Sequence, residues 1–340
     1  MAVRIKVSVE KDLQSNTTST RWTCKHPDKS GLDRQRQYFV LDLKIRFGTY
    51  FIDWNGSDCR LLTDRFGLVF GALAGMPNGW QGVHDAAARA MRIARVLLWD
   101  VAAKYQSHRR GHYLALSCGI SHGGGQVRPS NLRWSKAVAK VLSFLLQDAA
   151  FQRISGFADC ILRAYAPRLH QYSSSVLDSL EKRDSNLERP FPDSAFAACC
   201  FNLGPQTVSY PHRDHANLAW GWCAITALGK FDHTKGGHLM IWDLNCAAPL
   251  RPGATIVIPS ALLEHSNAAI LANEERFSFV QFSAGGLFRW AENGFQSEAA
   301  WRSKATKEAL RLRDADLRLR WSRGLSMLSK IDEFAPPKTK

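Results

Sequence analysis

Residues 212–217 read HRDHAN, and within them His212 and Asp214 stand two positions apart in a segment that leaves one β-rich run and enters another. In an extended chain alternate side chains project to the same side, so this imidazole and carboxylate can meet one ion. His265 closes the string PGATIVIPSALLEH, and Arg276 opens RFSFVQF eleven residues later. Two imidazoles and one carboxylate form the facial triad that holds non-haem Fe(II) while leaving three positions open. An α-keto acid can take two of these through its keto and carboxylate oxygens, and O2 the third. The distal carboxylate of 2-oxoglutarate then needs a bidentate cation, for which Arg276 suits better than a lysine would, with Ser278 on the same strand face as a second donor. Two other readings stand beside this one: histidines that are plain polar residues at strand ends, and a zinc or manganese ion holding a hydrolytic water. A water-activating zinc has no use for a buried arginine one strand beyond its last ligand. A second His-x-Asp triplet, His26-Pro27-Asp28, lies in a Lys-rich loop with no strand before it.

The elements that must position these residues follow from periodicity. Short β-rich runs, AFAACCFNL, WGWCAITAL, HLMIWDL, ATIVIPS and RFSFVQFSA, are separated by GP, GK, GG and PG turn signals. That spacing predicts an antiparallel barrel or sandwich over about 195–290. Upstream, residues 37–63 alternate aromatic and β-branched residues with polar ones and read as strands. A helical period covers 84–107 and places Arg89, Arg92 and Arg95 together on the polar face. CGISHGGGQVRPSNL, 118–132, reads as a Gly-rich loop, and 134–182 as helical up to the break at DSNLERPFPDS. Residues 297–328 read as a basic helix, with Pro336 and Pro337 ending it in a loose terminus. The division expected is an α/β region over 1–194, a β core over 195–295 and a basic helix with its tail over 296–340.

Lysine and arginine number 45 against 30 aspartates and glutamates, a net charge of +15. Residues 195–290 hold six of each sign, so the whole excess lies outside the β core. A neutral module in a basic shell suits a polyanionic partner, because neutralised phosphates release counterions. Arg109 and Arg110 add a basic pair to that shell. The eight cysteines contain no CxxC pair, so no structural zinc is expected and reduced, mostly interior thiols are. No run approaches the roughly 20 apolar residues that span a bilayer, and the first residues lack a secretory pattern, which predicts a soluble intracellular protein without membrane contact.

HRDHAN followed by GWCAITALG, with GGHLMIWDL and AGGLFRW further on, resembles the TET and J-binding-protein dioxygenases, in particular their fungal branch. The resemblance is strongest over 195–294 and extends loosely back to GISHGGGQ and FQRISGFAD. It implies an α+β protein whose catalytic core is a double-stranded β-helix, or jelly roll, flanked by helices of the N-terminal region and by a basic C-terminal helix. It implies Fe(II) on His212, Asp214 and His265, 2-oxoglutarate on Arg276, Ser278 and His238, and O2 as co-reactant. The implied substrate is a methylated base of DNA, most readily 5-methylcytosine, flipped against Asn217 and stacked on Phe282. The basic side chains Arg89, Arg92, Arg95, Arg109 and Arg110 would hold the backbone, and a DNA substrate implies the nucleus. One departure stands out: two positions past Phe282, where animal members carry a base-reading histidine, this chain has Ala284. A protein hydroxylase using the same iron chemistry, or a catalytically inactive DNA-binding module of the same fold, are the alternatives.

Overall fold

Along the strand ERFSFVQF, 275–282, Phe277 and Phe279 fall on one face and Arg276 and Ser278 on the other. This alternation sorts the whole molecule into layers. The computed structural model describes residues 2–27 and 32–334. Asp28 of the second His-x-Asp triplet, and the Pro336-Pro337 pair, lie outside the described residues. The strands are β1 (Ala2–Arg4), β2 (Tyr50–Phe51), β3 (Arg60–Thr63), β4 (Val69–Gly75), β5 (Ser107–His108), β6 (Gly111–His112), β7 (Ala115–Ser121), β8 (Ser130–Asn131), β9 (Ala198–Asn202), β10 (Cys223–Lys230), β11 (Leu239–Ile241), β12 (Cys246–Ala248), β13 (Thr255–Ile258), β14 (His265–Asn267) and β15 (Glu275–Phe282). The helices are α1 (Val9–Asp12), α2 (Val40–Ile45), α3 (Gln81–Leu97), α4 (Trp99–Tyr105), α5 (Lys136–Gln147), α6 (Ala149–Tyr165), α7 (Pro167–Arg183), α8 (Gly285–Glu292), α9 (Glu298–Lys304) and α10 (Lys307–Ser326).

A large sheet runs in the order β1-β3-β4-β13-β10-β15-β9-β7-β8, and a small one in the order β14-β11-β12-β2. The centre of the large sheet is antiparallel, with β10 between β13 and β15. Strands from the first 131 residues extend both of its edges, and β2 joins the small sheet in parallel beside β12. The fold is therefore mixed α+β.

Burial explains the pairing. Outward-facing Phe277, Phe279, Phe201 and Leu228 form one apolar cluster with Val83, Ala87 and Met91 of α3, Val141 and Leu145 of α5, and Phe151 and Ile154 of α6. Phe151, Phe201 and Phe279 meet with ring centroids 4.9–5.1 Å apart, the spacing that tilted and edge-on aromatic pairs prefer. Leu239 and Ile241 of β11 face the interior shared with Ile225 and Ile256 of the large sheet. Met240, between them, faces outward into a cluster with Tyr38, Leu43, Ala247 and Ala268. The space between the two sheets is thus lined by alternate residues of both, and it holds the polar groups described below.

Three expectations are corrected. Residues 40–45 are helical: Asp42 accepts from the Phe39 amide as an N-terminal cap, and only Leu43 of that helix is buried. The alternating pattern that reads as a strand there is a short helix showing Phe39, Leu41 and Ile45 to solvent. The Gly-rich stretch is a loop only after Ser121, since β7 runs through its first four residues. The basic tail breaks at Ala305, where the Thr306 hydroxyl caps α10 by accepting from the Ala309 amide. Two of its arginines turn inward: Arg313 lies over Trp301 and Arg320 over Trp22, and both pair with Glu292. No helix among the described residues is long and apolar enough to cross a membrane.

Candidate metal centre and its chamber

His212 and His265 face each other across a bridge between the segment after β9 and strand β14. Each donates its amide to the other's carbonyl, at 3.0 and 2.9 Å. Such a doubly bonded pair holds its two side chains on one face of the ladder, and the rings lie 4.4 Å apart. Nδ1 of His212 is 2.7 Å from the Tyr210 carbonyl, and Nδ1 of His265 is 2.9 Å from that of Leu263. Because a carbonyl only accepts, Nδ1 carries the proton in both rings. Each Nε2 is therefore left as a lone-pair donor, the tautomer that metal-ligating imidazoles adopt. The Asp214 carboxylate stands 3.8 Å from His212 Nε2 and 3.9 Å from His265 Nε2. One ligand atom from each residue lies within 4.8 Å of the others.

The electrostatics suit ligation. Burial pushes the His212 ring down to about 3, helped by His265 and Arg110, so the ring is neutral at physiological pH. Burial would raise the Asp214 carboxyl, but the two imidazoles, Arg110 and Arg109 outweigh it and hold it at about 2. The triad therefore offers a neutral imidazole at His212 and a carboxylate at Asp214.

Arg276 lies behind the triad on the inner face of β15 and is 0% exposed. Its Nη1 donates to the Thr207 carbonyl at 2.6 Å, while Nε and Nη2 have no partner. No carboxylate pairs with it among the described residues. A buried cation costs several kcal/mol unless matched, and here the guanidinium meets the Thr207 carbonyl and the Phe231 ring, 5.7 Å away. Burial pulls it down to about 10, which keeps it charged at neutral pH. Ser278, on the same face, accepts from Asn202 Nδ2 at 2.9 Å.

A chain of polar groups missed by sequence reasoning links Arg276 to the triad. The Tyr113 hydroxyl, which feels the Arg276 charge, is 2.9 Å from Ser209 Oγ. Asn267, on the face of β14 that carries His265, accepts from the Ser209 amide through Oδ1 and leaves Nδ2 unpartnered. Arg110 reaches within 3.8 Å of Asp214 and is held there against Tyr113 and Cys200. The pair Arg109-Arg110 reads in the sequence as part of the basic shell. In the structure Arg110 stands inside this chamber and Arg109 at its mouth, where its guanidinium donates to the Arg213 carbonyl at 3.4 Å.

Asp214, Asn217 and Phe282 share a pocket of about 460 Å³ with Ser107, His108, Arg109, Arg110 and Trp134. The volume is that of a small-ligand site. Asn217 is fixed by pairing with Ala284 and by the Asp214 carbonyl, and its amide group is 3.4 Å from Ser260 Oγ. Phe282 ends β15, and after Ser283 and Ala284 the first two residues of α8 must be glycine. A Cβ at Gly285 would lie 2.2 Å from the Trp22 carbonyl, and one at Gly286 2.2 Å from that of His122.

Two sets of residues are not brought to this chamber. His238 falls on the outer side of the small sheet with Met240, edge-on to Phe51 at 5.4 Å, because the strand's alternation gives the inner face to Leu239 and Ile241. Arg89, Arg92 and Arg95 ride on α3, which covers the far side of the large sheet, and Arg92 pairs with Glu275 at 2.7 Å.

Burial pushes the His238 ring down to about 4, an effect to which His233 and Lys44 contribute. Unfolded, the same ring takes a proton near 6.5, so protons drive unfolding as the pH falls from about 6.5 to about 4. Between those limits the parent should lose on the order of 3 kcal/mol more stability than His238→Gln, as read by urea unfolding across that range.

No protein-family model matches this chain, and no curated protein does. One solved structure that matches is NgTET1 in complex with 5mC DNA. The two are 16% identical, with a TM-score of 0.49 over 82% of this chain and 92% of that one.

Proposed function

We propose that this chain is a 2-oxoglutarate- and Fe(II)-dependent dioxygenase that oxidises the methyl group of a methylated DNA base, on a double-stranded β-helix core. The observation that carries this reading is the pairing of an iron-type triad with a buried arginine that has no anion of its own. His212, Asp214 and His265 would hold the metal. Arg276, with Ser278 beside it, would hold the distal carboxylate of 2-oxoglutarate.

With iron and cosubstrate bound, the chemistry supplied is hydroxylation: R–CH3, 2-oxoglutarate and O2 give R–CH2OH, succinate and CO2. The chain's own residues select and place the methyl group. A base in a duplex cannot reach Asp214, so it must leave the stack at a cost of a few kcal/mol. Phe282 offers a face to stack on, and Asn217 a side-chain amide for the base edge. With Ala284 at the neighbouring position, Asn217 is the main polar reader contributed by this segment. Arg109, at the pocket mouth, serves the phosphate backbone. Arg89, Arg92 and Arg95 stand on the opposite side of the sheet and would grip only DNA that wraps the molecule. Such a substrate would place the enzyme in the nucleus.

The test is mass spectrometry of nucleosides, with succinate measured in parallel, after incubation with Fe(II), 2-oxoglutarate and duplexes bearing different methylated bases. Hydroxymethylated base in step with succinate is expected, 5-methylcytosine being the first candidate. Succinate released equally with unmodified DNA, or only with protein substrates, would overturn the proposal. Phe282→Ala should weaken binding of the methylated duplex by about 1–3 kcal/mol, or roughly 5- to 150-fold in Kd, whereas Phe282→Tyr should retain it.

A further inference from the structure

The two stretches that supply the triad are far apart in sequence, and one side chain touches both. Asp243 sits in the turn Trp242–Leu244 that ends β11, followed by Asn245 in a left-handed conformation at φ 43°. Its Oδ1 accepts from Arg213 Nη2 at 2.6 Å, and Arg213 lies between the ligands His212 and Asp214. Its Oδ2 accepts from the amide of Glu264 at 2.5 Å, and Glu264 immediately precedes the ligand His265. Each triad residue thus adjoins in sequence a residue bonded to this carboxylate, Arg213 through its side chain and Glu264 through its amide. Asn16 closes the arrangement, donating to Asp243 Oδ1 at 3.3 Å and to the Leu262 carbonyl at 3.1 Å. Outside it, Arg34 grips Glu264 through two bonds of 3.0 and 3.3 Å. Arg213 is buried, and Asp243 is the only carboxylate its guanidinium pairs with among the described residues.

We infer that Asp243 is a positioning residue for the metal centre, setting the separation between the His212–Asp214 arm and the His265 arm. The backbone bridge between His212 and His265 fixes the two imidazoles, but Asp214 lies beyond it. The Asp214 arm is held to the far side by its own amide, bonded to the Ser260 carbonyl, and by the Arg213–Asp243 pair. Loss of the carboxylate charge would free the Arg213 side chain and with it the peptide that carries Asp214. In Asp243→Asn the new amide nitrogen would also face a donor, either the Glu264 N–H or the Arg213 guanidinium. Groups that orient metal ligands in this way change metal affinity about 10- to 100-fold when removed.

The inference rests on the reading of His212, Asp214 and His265 as metal ligands, and the experiment separates the two. Co(II) and Mn(II) are titrated into the full-length apo protein without substrate, for the parent, His212→Ala and Asp243→Asn, with the visible spectrum of bound Co(II) recorded. Melting of each apo protein is followed in parallel. Parent binding that His212→Ala abolishes establishes the ligand reading. Equal binding by parent and His212→Ala removes that reading and this inference with it. Given binding at the triad, Asp243→Asn should raise the metal Kd about 10- to 100-fold and shift the Co(II) bands while the apo protein stays folded. A Kd within twofold of the parent and an unchanged spectrum would overturn the inference. If Asp243→Asn does not fold, Arg213→Met, which leaves the Glu264 bond intact, must show the same loss of affinity, and parent-like binding by it overturns the inference equally.

Discussion

An Arg276→Met variant should melt at a higher temperature than the parent and no longer respond to 2-oxoglutarate. The side chain is completely buried, bonded through Nη1 alone, and faces no carboxylate among the described residues. Replacing such a charge by an apolar side chain of similar length is often stabilising by about 1–4 kcal/mol. For a chain of this size that corresponds to a rise of roughly 1–6 °C. The same change removes the proposed bidentate partner of the distal carboxylate of 2-oxoglutarate. Truncating one member of a buried, bonded charge pair costs about 2–5 kcal/mol, so 2-oxoglutarate should bind at least about 30-fold more weakly. Calorimetric melting with and without 2-oxoglutarate reads both effects. Arg276→Lys keeps the charge and should not gain stability. A variant that melts lower than the parent and still binds the cosubstrate normally would show that Arg276 serves the fold rather than an incoming anion.

Asp214→Ala should reduce turnover to background, at least about 10³-fold or some 4 kcal/mol of barrier, while leaving salt-sensitive DNA affinity in place. Asp214 is the only carboxylate of the triad, so its loss leaves two imidazoles with no anion to balance a divalent ion. Its removal also strips a negative charge from beside Arg110 and Arg109, so attraction for phosphate should not fall. Asp214→Glu keeps the charge but misplaces it by a methylene. Errors of that size, about 1 Å, cost about 10²-fold in positioned chemistry. Succinate release and filter binding at two salt concentrations measure the two properties separately. DNA affinity that collapses together with turnover would mean that Asp214 holds the DNA-binding surface together.

The centre was legible in sequence because its members obey the strand period. His212 and Asp214 are two apart, Arg276 and Ser278 are two apart, and each pair falls on one face. His238 obeys the same period but lies out of phase with the inner face of β11, and a chain read alone does not reveal which phase is inner. Tyr113, Asn202 and Asn267 carry no signal of their own. They matter because the link from β6 to β7, β9 and β14 carry them toward the same chamber, and that convergence belongs to the tertiary structure. Arg110 shows the limit of charge counting, since a basic pair before a strand looks like surface until the hairpin β5–β6 turns one member inward. The stretch around 40–45 reads as a strand because a helix with exposed Leu41 and Ile45, preceded by exposed Phe39, imitates a strand's alternation.

The mutual amide bonds between residues 212 and 265 have one more consequence. Side chains on a ladder alternate, so a slip of β14 by a single residue would swing the second imidazole to the outside of the small sheet and bring Glu264 or Ser266 to the inner side. A molecule folded out of step would then lack one of the three candidate ligands. A metal ion held by these three residues would therefore sort correctly aligned chains from misaligned ones during refolding, as a proofreader of strand alignment.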